Sequence, residues 1–248
     1  MSTGPRGVPA RVSAPIPVPP DNHRDLAGAR CDGGVIRPGV ILRGALHDTM
    51  TPPGLAGTRG RVHLLDLRRA DEGTGTPPHS VCRHSWPLHD PQWVRGVPRT
   101  PRFFVESGLR LVPLMAAAVA DAVRILADGG CVYVGCRLGK DRTGLMVLLL
   151  GRIFGVDDAA LVEDYVRTGE EYLSATAWVE HYARRRGEAV ADVTTRLVPP
   201  PGVPSVILAE LPTQQQELCE LLDLDVRAVT AALRAISHTR PTQEGTPL

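Results

Sequence analysis

One stretch of about twenty residues constrains this chain more than any other. Cys131-Val132-Tyr133-Val134 is uncharged and rich in strand-forming side chains, so it reads as a short buried strand. Thr143-Gly144-Leu145-Met146-Val147-Leu148-Leu149-Leu150 reads as the first turns of a buried helix. Between them lies Cys136-Arg137-Leu138-Gly139-Lys140-Asp141-Arg142, a Cys-x5-Arg loop with a glycine inside it. A strand that feeds through a glycine-bearing loop into a helix N-terminus is an anion cradle, and it obliges the fold to be a layered α/β one. Lys140 is the single lysine among 28 basic residues. A bias to Ala, Arg, Gly and Pro, as from a genome rich in guanine and cytosine, accounts for that scarcity but not for the position.

The remaining segments fit the same architecture. Val40-Ile41-Leu42 reads as a strand ending at Arg43, and Val62–Asp66 as a stronger one; Val81–Leu88 is a third candidate. Asp32-Gly33-Gly34 is a turn, and Ala70–Pro78 and Pro91–Pro101 are irregular by composition. From Phe103 to Ala127 apolar residues recur at helical spacing, closed by Asp128-Gly129-Gly130. Asp157 caps a further helix, and another spans Glu170–Arg186. After a Pro-rich break at Val198–Val203, Thr213-Gln214-Gln215-Gln216 resembles a capping box, with short helices expected at about 213–222 and 225–236. The expected fold is α/β, with a mostly parallel central sheet flanked by helices and a C-terminal helical extension.

Composition excludes several roles. A net charge of +1 offers no basic excess to hold nucleic acid or an anionic membrane surface. The most apolar helical stretches are short or broken by Asp121, Arg124 and Arg152, so no membrane insertion is expected. Five cysteines without regular spacing give no disulfide framework, and the Pro-rich start has no apolar signal core. These features together point to a cytoplasmic protein; its oligomeric state is not legible.

The loop implies cysteine-dependent phosphate chemistry. Arg142 offers two parallel donors to phosphate oxygens, Gly139 relieves crowding as the loop closes, and Thr143 is placed to bond a thiolate or cap the helix. The positive end of that helix favours Cys136 as the nucleophilic thiolate. Attack on phosphorus would give a phosphocysteine that water then hydrolyses.

Cys136-x-x-Gly139-Lys140-Asp141-Arg142-Thr143-Gly144 resembles the loop of the bacterial protein-tyrosine and dual-specificity phosphatases related to the secreted mycobacterial tyrosine/lipid phosphatase. Asn22-His23-Arg24-Asp25-Leu26-Ala27-Gly28 is similar to that family's N-F-R-D-L-G-G opening. Val35-Ile36-Arg37-Pro38-Gly39 with Leu42-Arg43-Gly44-Ala45-Leu46 resembles its R-P-G and R-S-G-x-L segments, one residue short before Gly44. Leu64–Arg68 with Glu72, and Leu161–Tyr165, continue the match over about residues 20–175. Composition gives a Pro-rich disordered leader over residues 1–20 and a helical extension and tail over 191–248 that takes in the Pro-rich break, leaving 21–190 as the phosphatase domain that the resemblance implies. The resemblance implies Cys136 as nucleophile, Arg142 as the phosphate clamp, and Asp141 as the general acid, with Asp66 as the other carboxylate for that role. Arg137, Leu138, Gly139, Lys140, Thr143 and Gly144 would bind substrate, Lys140 as a second cation. The implied partners are phosphotyrosine proteins, phosphoinositides or small phosphorylated metabolites, and no cofactor or metal is implied.

One departure matters. The family carries His just before the nucleophile, and this chain has Gly135. Loss of that His would loosen the loop and weaken support for the thiolate, which keeps open a non-catalytic phosphate-binding pseudophosphatase. Sulfur or arsenate chemistry on a Cys-based anion loop is a third reading, opposed by Lys140-Asp141 beside Arg142-Thr143-Gly144. A separate His79-x2-Cys82-x-His84-x4-His89 spacing carries zinc-type donors, but half of it falls on an expected strand where Cys82 and His84 share one face, and no metal site is expected there. Acidic pairs at Asp157-Asp158 and Glu170-Glu171 read as helix-start residues, and Arg184–Arg186 as a solvated helix end.

Overall fold

The computed structural model describes residues 17–47, 52, 61–73, 76–93 and 98–238. Most of the leader expected over residues 1–20 therefore lies outside the described residues.

The central sheet has the order β1-β4-β7-β5-β6. Its strands are β1 (Arg24–Asp25), β4 (Ile41–Ala45), β7 (Cys131–Cys136), β5 (Val62–Asp66) and β6 (Val81–Ser85). All neighbours are parallel except the edge strand β1, which runs antiparallel to β4. Every residue of β7 is buried, as a central parallel strand covered on both faces requires. A small second sheet joins β2 (Arg30–Cys31), β3 (Gly34–Ile36) and β8 (Ser237–His238), with Asp32-Gly33 forming the expected turn.

Helix α1 (Pro101–Ala127) starts where Thr100 Oγ1 accepts the Phe103 N–H at 3.2 Å and Pro101 occupies the first turn, needing no partner for its missing N–H. It ends at Ala127, and Gly129 just beyond, with φ +77°, turns the chain away at the expected Asp128-Gly129-Gly130 stop. Helix α2 (Asp141–Ile153) is buried from Thr143 through Gly151, apolar on all sides because it crosses the core. Helices α3 (Asp158–Ser174), α4 (Thr176–Arg186), α5 (Val190–Leu197), α6 (Gly202–Glu210), α7 (Gln215–Leu221) and α8 (Val226–Ile236) complete the chain. The main core joins one sheet face to α1, α2 and apolar side chains of α6, α7 and α8, so the C-terminal helices share it. A second cluster, with Leu42, Leu64 and Tyr133, covers the other face. A third joins α3, α4 and α5 through Tyr172, Trp178, Val193 and Leu197, and Leu138 of the loop packs against it. Among the described residues no helix is long and apolar enough to cross a membrane.

Several expectations need correction. Arg43 does not end its strand: β4 runs on to Ala45, because buried acceptors receive the guanidinium. The third strand stops at Ser85, where Trp86 N turns to Asp66 O at 2.9 Å and Pro87 lacks a ladder donor. The helix expected over Glu170–Arg186 is broken at Ala175, and Glu170-Glu171 lie in the last turns of α3, not at a start. Asp157 does cap α3, its Oδ1 accepting Ala159 N–H at 3.0 Å. The Pro-rich break is shorter than expected, since α6 begins at Gly202, and α5 was not foreseen. The capping box is not formed: Gln214 is the N-cap of α7 and makes no side-chain capping bond.

Candidate active site

The Cys-x5-Arg loop leaves the sheet at Cys136, the last residue of β7, and enters α2 at Asp141. A tight anion loop must turn its carbonyls away from the ligand and give each a partner elsewhere. Here four consecutive carbonyls are held on the outer side. Cys136 O and Arg137 O accept the backbone N–H groups of Leu46 and His47, both at 2.9 Å. Leu138 O accepts Asn22 Nδ2 at 3.1 Å and the Tyr172 hydroxyl at 2.8 Å. Gly139 O accepts Asn22 Nδ2 at 2.8 Å and Arg43 Nη2 at 2.6 Å.

The clamp has its own foundation. Asn22 adopts φ +47°, a conformation Asn tolerates better than most residues, and its Oδ1 accepts Arg24 Nη1. Arg24 and Arg43 both pair with Asp164 of α3. Burial would raise the Asp164 carboxyl, but the Arg43 and Arg24 guanidiniums hold it below the usual carboxylate range. Gly139 has φ +60°, and a Cβ there would lie 2.5 Å from the Gly44 carbonyl carbon. Glycine is required at this point both for conformation and for close approach to β4.

Gly135 finds its explanation in the same place. A Cβ on residue 135 would lie 2.7 Å from Leu46 Cγ, so Leu46 fills the space a side chain would take. Asn22, Arg43 and Tyr172 hold the loop carbonyls from the outside.

Cys136 opens onto a cleft of about 770 Å³, with Arg137, Leu138, Lys140, Asp141 and Arg142 also on its wall. Arg142 Nη1 is bound by Glu72 Oε2 at 2.6 Å, Leu67 O at 3.0 Å and Leu88 O at 3.2 Å. Its Nε and Nη2 make no hydrogen bond among the described residues, which leaves one edge of the guanidinium for an oxyanion. Burial opposes the Arg142 charge, but the nearby Cys136 and Glu72 more than offset it and push its pKa up. Burial likewise opposes the Glu72 charge, and Arg142 brings that carboxyl down.

Lys140, on the cleft wall, has its charge engaged by protein partners. Its side chain is 2% exposed, and Nζ donates to Arg196 O at 2.6 Å, near the C-terminal end of α5. The ammonium also lies 3.1 Å from Asp141 Oδ1 and 4.7 Å from the Phe104 ring centre. The lone lysine thus ties the loop to α5 and positions Asp141. Asp66 is not on the cleft wall. It is fully buried, with Arg68 Nε at 2.9 Å, Arg68 Nη2 at 2.8 Å and Arg83 Nε at 3.0 Å from its oxygens, so its acceptors are committed to strand-end structure. Gly139, Thr143 and Gly144 also stay off the cleft wall. Thr143 Oγ1 is buried and makes no hydrogen bond among the described residues, so it neither caps α2 nor bonds another side chain.

Two cleft features were not read from the sequence. Asp90 lies on the wall, held by Arg110 Nη2 at 2.8 Å. Burial opposes its charge, but Arg110 and Ser107 bring its pKa down to about 2. The only sequence signal for it was a Pro-flanked acidic residue after a strand. Helix α5 and the end of α4 also line the cleft, through Tyr182, Arg186, Asp192 and Arg196. Arg186 is thereby on the wall and bonded to Glu188 at 2.7 Å, not simply solvated. Of the zinc-type spacing, His79 is exposed and His89 faces the cleft, whereas Cys82 and His84 meet His63 instead.

Among curated proteins, none matches the chain. The model of the tyrosine phosphatase family matches residues 19–240, which takes in the loop, the carbonyl clamp and the C-terminal helices up to the small sheet. With that span the chain belongs to the tyrosine phosphatase family and is a tyrosine-phosphatase-like hydrolase.

Proposed function

We propose that the protein is a cysteine-dependent phosphomonoesterase working through a phosphocysteine. The observation that carries the reading is that Cys136, Asp141 and Arg142 share one cleft while the loop carbonyls from Cys136 to Gly139 are tied away from it. Cys136 Sγ attacks phosphorus in line as the ester P–O bond breaks, and Arg142 takes two non-bridging oxygens. Asp141 gives its proton to the leaving oxygen, then accepts one from the water that cleaves the S–P bond and frees phosphate. Glu72 and Lys140 are positioning residues, one for Arg142 and one for Asp141. Asp66 has no part in the step.

Tyr182, Trp93 and Phe104 on the wall, with Arg99 and Arg186, suit an aryl phosphate, so phosphotyrosine in protein is the favoured substrate. Dual specificity, phosphoinositides and small phosphorylated metabolites are compared with it in a substrate panel, and the cytoplasm is the proposed compartment. The test is phosphate release by wild type, Cys136→Ser and Asp141→Asn from aryl esters with good and poor leaving groups. Cys136→Ser should abolish turnover, and Asp141→Asn should slow the poor leaving group far more than the good one. A wild type that binds phosphate or vanadate yet turns over no ester from mildly acidic to neutral pH would establish the pseudophosphatase reading instead.

A further inference from the structure

The parallel pairing of β5 and β6 sets His63 directly beside Cys82, and Leu65 beside His84. Period-two alternation then puts His63, Cys82 and His84 on one face of the sheet, the face covered by α1. His63 Nδ1 and His84 Nε2 are 3.0 Å apart, and a sulfur and two ring nitrogens lie within 4.8 Å of one another. His84 Nδ1 is 2.6 Å from Asp121 Oδ2 of α1. That carboxylate is itself held by Trp86 Nε1 at 3.2 Å and Arg124 Nη2 at 2.5 Å.

We infer that His63, Cys82 and His84 form a site for a divalent transition-metal ion, with zinc the best match. Two imidazoles and a thiolate are a borderline-soft donor set that favours a tetrahedral d¹⁰ ion. Tetrahedral zinc with nitrogen ligands at about 2.0–2.1 Å needs them a little over 3 Å apart, close to the observed pair. Asp121 fixes the tautomer: Nδ1–H of His84 donates to the carboxylate, so the Nε2 lone pair faces the other two ligands. The three side chains are only partly buried, which gives an ion access and leaves the fourth position to water. On binding, the Cys82 thiol gives its proton to solvent and His63 carries its remaining proton on Nε2.

The site is remote from the cleft. His63 pairs with Val132, four residues before Cys136, or about 13 Å along β7. Occupied, it would join β5 to β6 and, through Asp121, to α1, with His63 and Cys82 near the starts of their strands.

The test uses the full chain and Co²⁺ as probe, followed by displacement with Zn²⁺. Wild type and Cys136→Ser should both give a thiolate-to-cobalt charge-transfer band and tetrahedral d–d bands. Cys82→Ser should lose the band while keeping its circular-dichroism spectrum and its aryl phosphatase rate. Asp121→Asn should keep the band with affinity about 10- to 100-fold weaker. A folded wild type with no thiolate band, or a band that survives Cys82→Ser, overturns the assignment. Because the readout is spectroscopic, it stands apart from whether the cleft is catalytic.

Discussion

The outer clamp on the loop predicts a specific non-additivity. Leu138 O has two donors, Asn22 Nδ2 and the Tyr172 hydroxyl, so removing either leaves it one partner. Tyr172→Phe deletes one neutral hydrogen bond at constant shape and should cost about 1 kcal/mol. Asn22 is best changed to Gly, because its φ of +47° would strain Ala. That change removes the bonds to Leu138 O and Gly139 O and the acceptor of Arg24 Nη1, for a loss of about 2–3 kcal/mol. Gly139 O still keeps Arg43. Only the double variant strips Leu138 O of both donors, and an orphaned carbonyl there should add a further ~1 kcal/mol beyond the sum. Urea unfolding of the four proteins measures the coupling, with kcat/KM on an aryl phosphate as a second readout of loop order. The double variant should lose roughly 10-fold or more in kcat/KM, since small displacements of reacting groups are costly. Additivity within about 0.3 kcal/mol, with unchanged kcat/KM, would refute the argument that these side chains hold the loop.

Two further outcomes follow from the same geometry. Gly135→Ala should destabilise the protein by about 1–3 kcal/mol by driving a methyl into Leu46, and Leu46→Ala should be less harmful in that background than alone, as thermal unfolding of the set would show. Asp90, with its pKa lowered from 3.8 to about 2, contributes stability that is present above about pH 4 and lost as pH falls towards 2. Asp90→Asn should therefore flatten the acid limb of stability over that window by on the order of 1–2 kcal/mol, and an acid limb identical to wild type would discard the Arg110 pairing as its source.

The sequence alone makes legible what lies within a few residues along the chain. The buried strand, the glycine-bearing loop, the helix behind it and the stop at Gly129 are short-range patterns of hydrophobicity, charge and backbone freedom. They were enough for a mostly parallel α/β layer fold and for the grouping of Cys136, Asp141 and Arg142. Where reading failed, the cause was a partner far away in sequence. Arg43 looked like a strand end because its acceptors, Gly139 O and Asp164, are 96 and 121 residues on. The bond from Lys140 to Arg196 O was out of reach because its acceptor, 56 residues later, belongs to an unforeseen helix. Asp66 could not be told apart from Asp141 by sequence, yet strand register buries it against Arg68 and Arg83. His63 joins Cys82 and His84 for the same reason, since parallel pairing fixes which residues stand side by side. Local chemistry thus decided which groups could react, and the packing of distant elements decided which are free to meet a ligand, because a buried polar group must find its partner wherever the fold supplies one.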